Sequence, residues 1–226
     1  MSEITAEGGG LPEKKKFVHR VGHHFADAEN EFTANKFGFW LFLATEILLF
    51  GGLFVAYVVF RTTYPMTFHE AHEHLSKTMG AINTVVLICS SFTMAMAVRA
   101  SQTNQQRRLV WLLAVTILCA FIFLVIKFFE YKAKIEHGYL PGYWYTPHLP
   151  TDPANGNIFF GLYFVMTGLH GVHVLGGIVA ITWVLVKARK GQFSSEWYTP
   201  VELVGMYWHL VDLIWIYLFP LFYLIG

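Results

Sequence analysis

Five mostly apolar runs, at about 37–60, 79–98, 109–129, 158–186 and 203–225, decide what this chain can become. Each is about 20 residues or longer, enough to cross a bilayer as a helix. No water reaches the backbone there, so a spanning segment must bond its own amides, which a helix does unaided. The expected fold is therefore all-α, a polytopic membrane bundle of five transmembrane helices. Composition agrees: 55% of residues are hydrophobic and only 14% charged, far from a soluble domain. Residues 1–36 are polar, basic at Lys14 to Lys16, and carry His19, His23 and His24. They read as a cytoplasmic tail with a short helix near Phe25 to Phe32, and no cleavable signal peptide is expected. Residues 37–226 read as one domain.

Lysine and arginine set the orientation. With the N-terminus inside, the inner segments hold Lys14, Lys15, Lys16, Arg20, Lys36, Arg99, Arg107, Arg108, Lys187, Arg189 and Lys190. Arg61, Lys77, Lys127, Lys132 and Lys134 fall outside. Eleven against five is a positive-inside bias, so the N-terminus is expected in the cytoplasm and the C-terminus outside. Two outer loops follow. Residues 61–78 carry His69, His72 and His74 among acids and read as a solvated loop or short surface helix, a metal site being the lesser alternative. Residues 132–157 hold Pro141, Pro147, Pro150 and Pro153 with Tyr143, Trp144 and Tyr145, an extended lid with interfacial aromatics. Cys89 and Cys119 lie in apolar runs and read as small packing residues.

Four of the five runs contain ionisable groups. Glu46 stands in the first, Lys127 and Glu130 close the third, His170 and His173 lie in the fourth, and His209 and Asp212 in the fifth. Each of these pairs is spaced i, i+3, so each shares one helix face. A carboxylate at mid-bilayer costs about 2.5–3.5 kcal/mol, so such groups should face protein or bound water. At 1.5 Å of rise per residue, Glu46 and Asp212 both sit roughly 14 Å from the inner surface. The reading is an inner-middle polar layer of Glu46, His170, His173, His209 and Asp212, with Lys127 and Glu130 near the outer surface. There Lys127 would snorkel, and Glu130 would pair with it or with a neighbouring chain.

Three uses of the layer compete. The residues can hydrogen-bond helices together, with Gly161, Gly168, Gly171, Gly176 and Gly177 letting helix four approach its neighbours. Two histidines can clamp a haem. Glu46 and Asp212 can exchange protons with a water chain. A di-iron carboxylate site fits less well, since no buried run holds Glu-x-x-His. Nucleotide loops, nucleophile elbows and zinc motifs are absent, which argues against a self-contained enzyme. No nucleic-acid partner is expected.

The stretch from Phe39 to Gly52, centred on Ala44-Thr45-Glu46, resembles the first common helix of subunit III of haem-copper respiratory oxidases. So do Glu130-Tyr131, Gly168-Leu169-His170-Gly171-Val172-His173-Val174, and Tyr207-Trp208-His209-Leu210-Val211-Asp212 with Trp215. The resemblance runs from about residue 37 to the C-terminus. It implies a bacterial plasma-membrane protein with no redox centre, packed on the catalytic subunit I and on other oxidase subunits. Haem and copper would reside in the partners. The family binds phospholipid in a cleft, helps proton uptake and protects subunit I during turnover. Glu46 would be its carbodiimide-reactive carboxylate, and His170, His173, His209 and Asp212 its polar network. The mitochondrial-type subunit has seven helices and this chain five, as in some bacterial members, where an extended subunit I can supply the missing pair. Cytochrome c is the expected donor. A quinol oxidase, an accessory protein of nitric-oxide reductase and a free-standing haem-binding membrane protein stay open, as does supercomplex membership.

Overall fold

A computed structural model of the chain describes residues 27–146 and 155–225. Each of the five apolar runs is one long helix: α1 (Ala28–Thr63), α3 (Lys77–Gln102), α4 (Gln106–Glu136), α5 (Gly156–Arg189) and α6 (Thr199–Phe219). A short α2 (Pro65–Ala71) and 3-10 turns at His72–His74 and Gly142–Trp144 lie in the connections from α1 to α3 and from α4 to α5. All five long helices are apolar enough to cross a membrane, and among the described residues there is no strand.

The helices outrun the apolar stretches. α1 starts at Ala28, not Phe37, because the Asp27 side chain caps the Asn30 amide at 2.7 Å. Residues 28–36 therefore belong to the first helix instead of a tail, and Lys36 pairs with Glu202 of α6 at 2.7 Å. Lys14 to Lys16, His19, His23 and His24 lie outside the described residues. With 36 residues α1 is about 54 Å long, well beyond a ~30 Å hydrocarbon core. Gly138 and Gly191, at φ +76° and +68°, end α4 and α5 in the left-handed conformation that spares a glycine the Cβ clash. Pro220 has no amide to continue α6, and the chain switches to a π turn over Pro220–Leu224.

The core is built from matched seams. Gly80, Asn83, Leu87, Ser90, Met94, Ala97 and Ser101 form the buried edge of α3. Leu109, Leu113, Thr116, Ala120, Phe123, Lys127 and Glu130 form that of α4. Both step alternately by three and four, the spacing of left-handed helix pairs. The two make an antiparallel hairpin, latched by Thr93 to Thr116 at 2.8 Å. α5 and α6 complete a four-helix core in which Trp208 and Trp215 are fully buried. Gly177 and Gly205 permit the contact: a Cβ on Gly177 would stand 2.5 Å from Trp208, and one on Gly205 2.9 Å from Val98. Gly161, Gly168 and Gly171 meet nothing closer than 3.7 Å, so the expectation that all five glycines of this helix serve packing fails for them.

α1 lies at the margin. Only 17% of its apolar window is buried, against 39% for α5 and α6. The Tyr57 hydroxyl fastens it by donating to Leu221 O at 2.5 Å, on the π turn. The outer connection 61–78 is no solvated loop throughout. Phe68 is buried edge-on against Tyr57 and Phe159, and the buried His72 turns Nδ1 towards its own His69 carbonyl at 2.6 Å. His74 meets the Tyr139 hydroxyl at 3.1 Å, and Lys134 Nζ donates to the His74 carbonyl. Tyr143 and Trp144 stay exposed on their turn, while Pro147, Pro150 and Pro153 lie outside the described residues. Cys89 is exposed on the membrane face of α3 and Cys119 is half-buried, both as free thiols.

Candidate intramembrane polar site

The single layer expected from helix depth is divided among three places. On the α1 side, Glu46 Oε2 meets His173 Nε2 at 2.7 Å, and His173 Nδ1 faces its own Leu169 carbonyl at 2.8 Å. Phe50 stands edge-on to the His173 ring at 5.1 Å, and Tyr207 donates to the His173 carbonyl at 3.0 Å. Glu46 and His173 keep 15% and 14% side-chain exposure, so this pair opens on the groove beside α1. It is the one polar bond that ties α1 to α5 at mid-depth among those described.

On the opposite side, His209 Nδ1 meets Ser91 Oγ of α3 at 2.7 Å. Asp212, one turn further along α6, is 2% exposed, and neither carboxyl oxygen has a hydrogen-bond partner among the described residues. Leaving a buried polar atom unpaired costs about 1–3 kcal/mol, so its environment here is incomplete. His170 lies between the two sides, wholly buried against Trp215 at 5.3 Å and Phe123 at 5.5 Å, with both ring nitrogens unpaired among the described residues. The Asn83 side chain of α3 is likewise buried and without a partner among the described residues.

The third place corrects the reading of Lys127 and Glu130 as an interfacial pair. Both point into the bundle, at 7% and 2% exposure. Lys127 Nζ donates to Glu130 Oε2 at 2.9 Å, to Tyr163 at 3.1 Å and to Tyr223 at 3.0 Å. Three acceptors use all three ammonium protons. Tyr223 closes the ring by donating to Glu130 Oε1 at 2.6 Å, and the Trp215 ring lies 4.9 Å from the ammonium. Tyr131 and Thr167 share a hydrogen bond beside this nest at 2.5 Å. Neither the burial of Lys127 nor its partners Tyr163 and Tyr223 were legible, because the run 109–129 is apolar on every face. In the folded chain the buried seam Leu109, Leu113, Thr116, Ala120, Phe123 runs on to it by the same alternating step.

These groups join helices. The engaged nitrogens of the histidines also turn apart, His173 towards α1 and His209 towards α3, while His170 is enclosed by aromatic rings. A haem clamped between two histidines needs both imidazoles aimed into one gap. Among the described residues, no three His, Cys, Asp or Glu groups gather as a metal set.

The profile of the family described as Cytochrome c oxidase subunit III matches residues 19–226. The chain belongs to that family. Subunits named cytochrome c oxidase subunit 3 are similar to it in Synechocystis, at 35% identity over 84% of this chain and 75% of the relative, and in Thermostichus vulcanus, at 33% over 83% and 86%. A Staphylococcus aureus protein named probable quinol oxidase subunit 3 is 25% identical over 85% of this chain and 89% of its own length. As a subunit III, the chain is a multi-pass membrane component of a haem-copper oxidase complex.

Proposed function

We propose that this chain is a non-catalytic subunit III of a bacterial aerobic cytochrome c oxidase, lying in the plasma membrane with its N-terminus inside. It packs on the catalytic subunit I, holds phospholipid, supports proton uptake and steadies subunit I during oxygen reduction. The observation that carries the non-catalytic reading is the use of its polar groups. His173 has both ring nitrogens engaged, and Lys127 spends three protons within the bundle. Such groups serve as cement between helices. Haem and copper then belong to the partner subunits. Cytochrome c as donor is favoured by relatives of that name at 35% and 33% identity, against 25% for the quinol oxidase subunit. The thinly packed α1 offers a face for phospholipid or for helices supplied by subunit I.

A mild-detergent pull-down of the tagged chain tests this reading, with optical spectra of the eluate and of the chain once separated. A haem-copper subunit in the eluate and no Soret band on the isolated chain are expected. A chain that purifies alone with its own haem band would overturn the proposal and make His170, His173 and His209 ligands.

A further inference from the structure

Between α3 and α6 a cavity of about 280 Å³ opens sideways from the bundle. Its apolar walls include Ile88, Phe92 and Ile216, which are 52%, 67% and 46% exposed. Ser91, His209 and Asp212 form a polar floor. Asp212 lies near the middle of the Thr199–Leu224 span, so the floor sits deep in the hydrocarbon layer. Among the described residues neither buried oxygen accepts a well-formed hydrogen bond, and the one hydroxyl beside it, that of Ser91, is shared with His209 at 2.7 Å. Ser91 and Ala95 add a small-x-x-x-small pair on the α3 rim, the spacing that lets a second helix backbone approach closely.

Resting on the oxidase-subunit reading, we propose that this groove seats a transmembrane helix of another subunit of the complex, which inserts a hydrogen-bond donor side chain onto Asp212. Complementarity selects the occupant. A lipid acyl chain has no donor for the carboxyl group, and an anionic headgroup has no place at this depth beside a carboxyl. The cavity is smaller than the roughly 300–1,000 Å³ of ligand clefts, yet large enough for one side chain. The donor is therefore a serine, threonine, amide, lysine or arginine on a helix whose apolar neighbours cover Ile88, Phe92 and Ile216. This contact lies on the face away from Glu46 and is independent of the pair that holds α1.

The test places the photoreactive p-benzoylphenylalanine at Phe92 in the intact complex in its own membrane, with Asp212 unaltered, and identifies the adduct by peptide mass spectrometry. The expected adduct is a membrane-spanning peptide of another oxidase subunit, with a donor side chain within one turn of the labelled residue. Adducts confined to lipid, to a second copy of the chain, or absent from a complex that does co-purify would overturn the proposal. Failure of any oxidase subunit to co-purify would instead sink the oxidase reading, and the groove proposal with it. Asp212→Leu should lower retention of the chain in the complex about 3- to 18-fold, the value of one interhelical hydrogen bond in membranes, whereas Asp212→Asn keeps an acceptor and most of the retention. Equal retention of the two variants would count against a donor at Asp212. If Asp212→Leu does not accumulate, the Phe92 adduct decides alone.

Discussion

Lys127 is the residue that joins α4, α5 and the π turn at one end of the bundle. Its ammonium joins Glu130 on its own helix to Tyr163 of α5 and Tyr223 of the π turn. Lys127→Met would keep much of the volume and leave the buried Glu130 carboxylate without its cation. Removing one partner of a buried pair costs about 3–5 kcal/mol, so chemical unfolding in detergent should show a loss of that order. Lys127→Met combined with Glu130→Leu should recover part of it, because no uncompensated charge remains. A loss below 1 kcal/mol for the single variant would mean that Glu130 is neutral or hydrated in the folded chain.

At the scale of elements, close approach of α5 and α6 rests on Gly177. A methyl group there meets the Trp208 indole at 2.5 Å, and Trp208 is held by its Nε1 bond to Ser90 Oγ at 2.9 Å. Gly177→Ala should cost about 1–3 kcal/mol of overpacking, read as a lower thermal midpoint, while Gly171→Ala, where nothing lies within 4 Å, should be close to neutral. A second element, the outer cap, is sensitive to pH. Burial, seconded by the Lys134 charge, holds the His74 imidazole below its usual value. Burial raises its partner Tyr139. The folded chain thus binds fewer protons at His74 than the unfolded one. This contribution is full above about pH 6.5, where both states are neutral, and is lost as pH falls through the lowered folded value. The protection of the amides over residues 72–76, measured by exchange corrected for its intrinsic pH dependence, should fall below about pH 6, and His74→Gln should flatten that dependence.

For the whole molecule, α1 is the loosely held part and the other four long helices are the rigid one. Glu46→Ala removes the Glu46–His173 bond at mid-depth but leaves the Tyr57 anchor and the Lys36–Glu202 pair in place. The oxidase complex should therefore assemble and begin oxygen reduction at near its normal rate, but retain less lipid or inactivate sooner during sustained turnover. Loss of the subunit I haems in that variant would make Glu46 an assembly residue instead. The five helices, the common level of Glu46 and His173, and the presence of a polar interior were legible in the sequence. Bilayer thickness and the expense of a buried charge act on each segment by itself, so a segment's own residues are enough to read them. The four motifs carried the family for the same reason. Only the tertiary structure decided that Glu46 meets His173 and not Asp212, that His209 turns to Ser91, and that Lys127 and Glu130 face inward to Tyr163 and Tyr223. Periodicity specifies a face on one helix, but the partner of that face depends on which neighbour fits against it. That choice was made by glycines at 177 and 205 and by interlocking seams on α3 and α4, which are properties of pairs of helices.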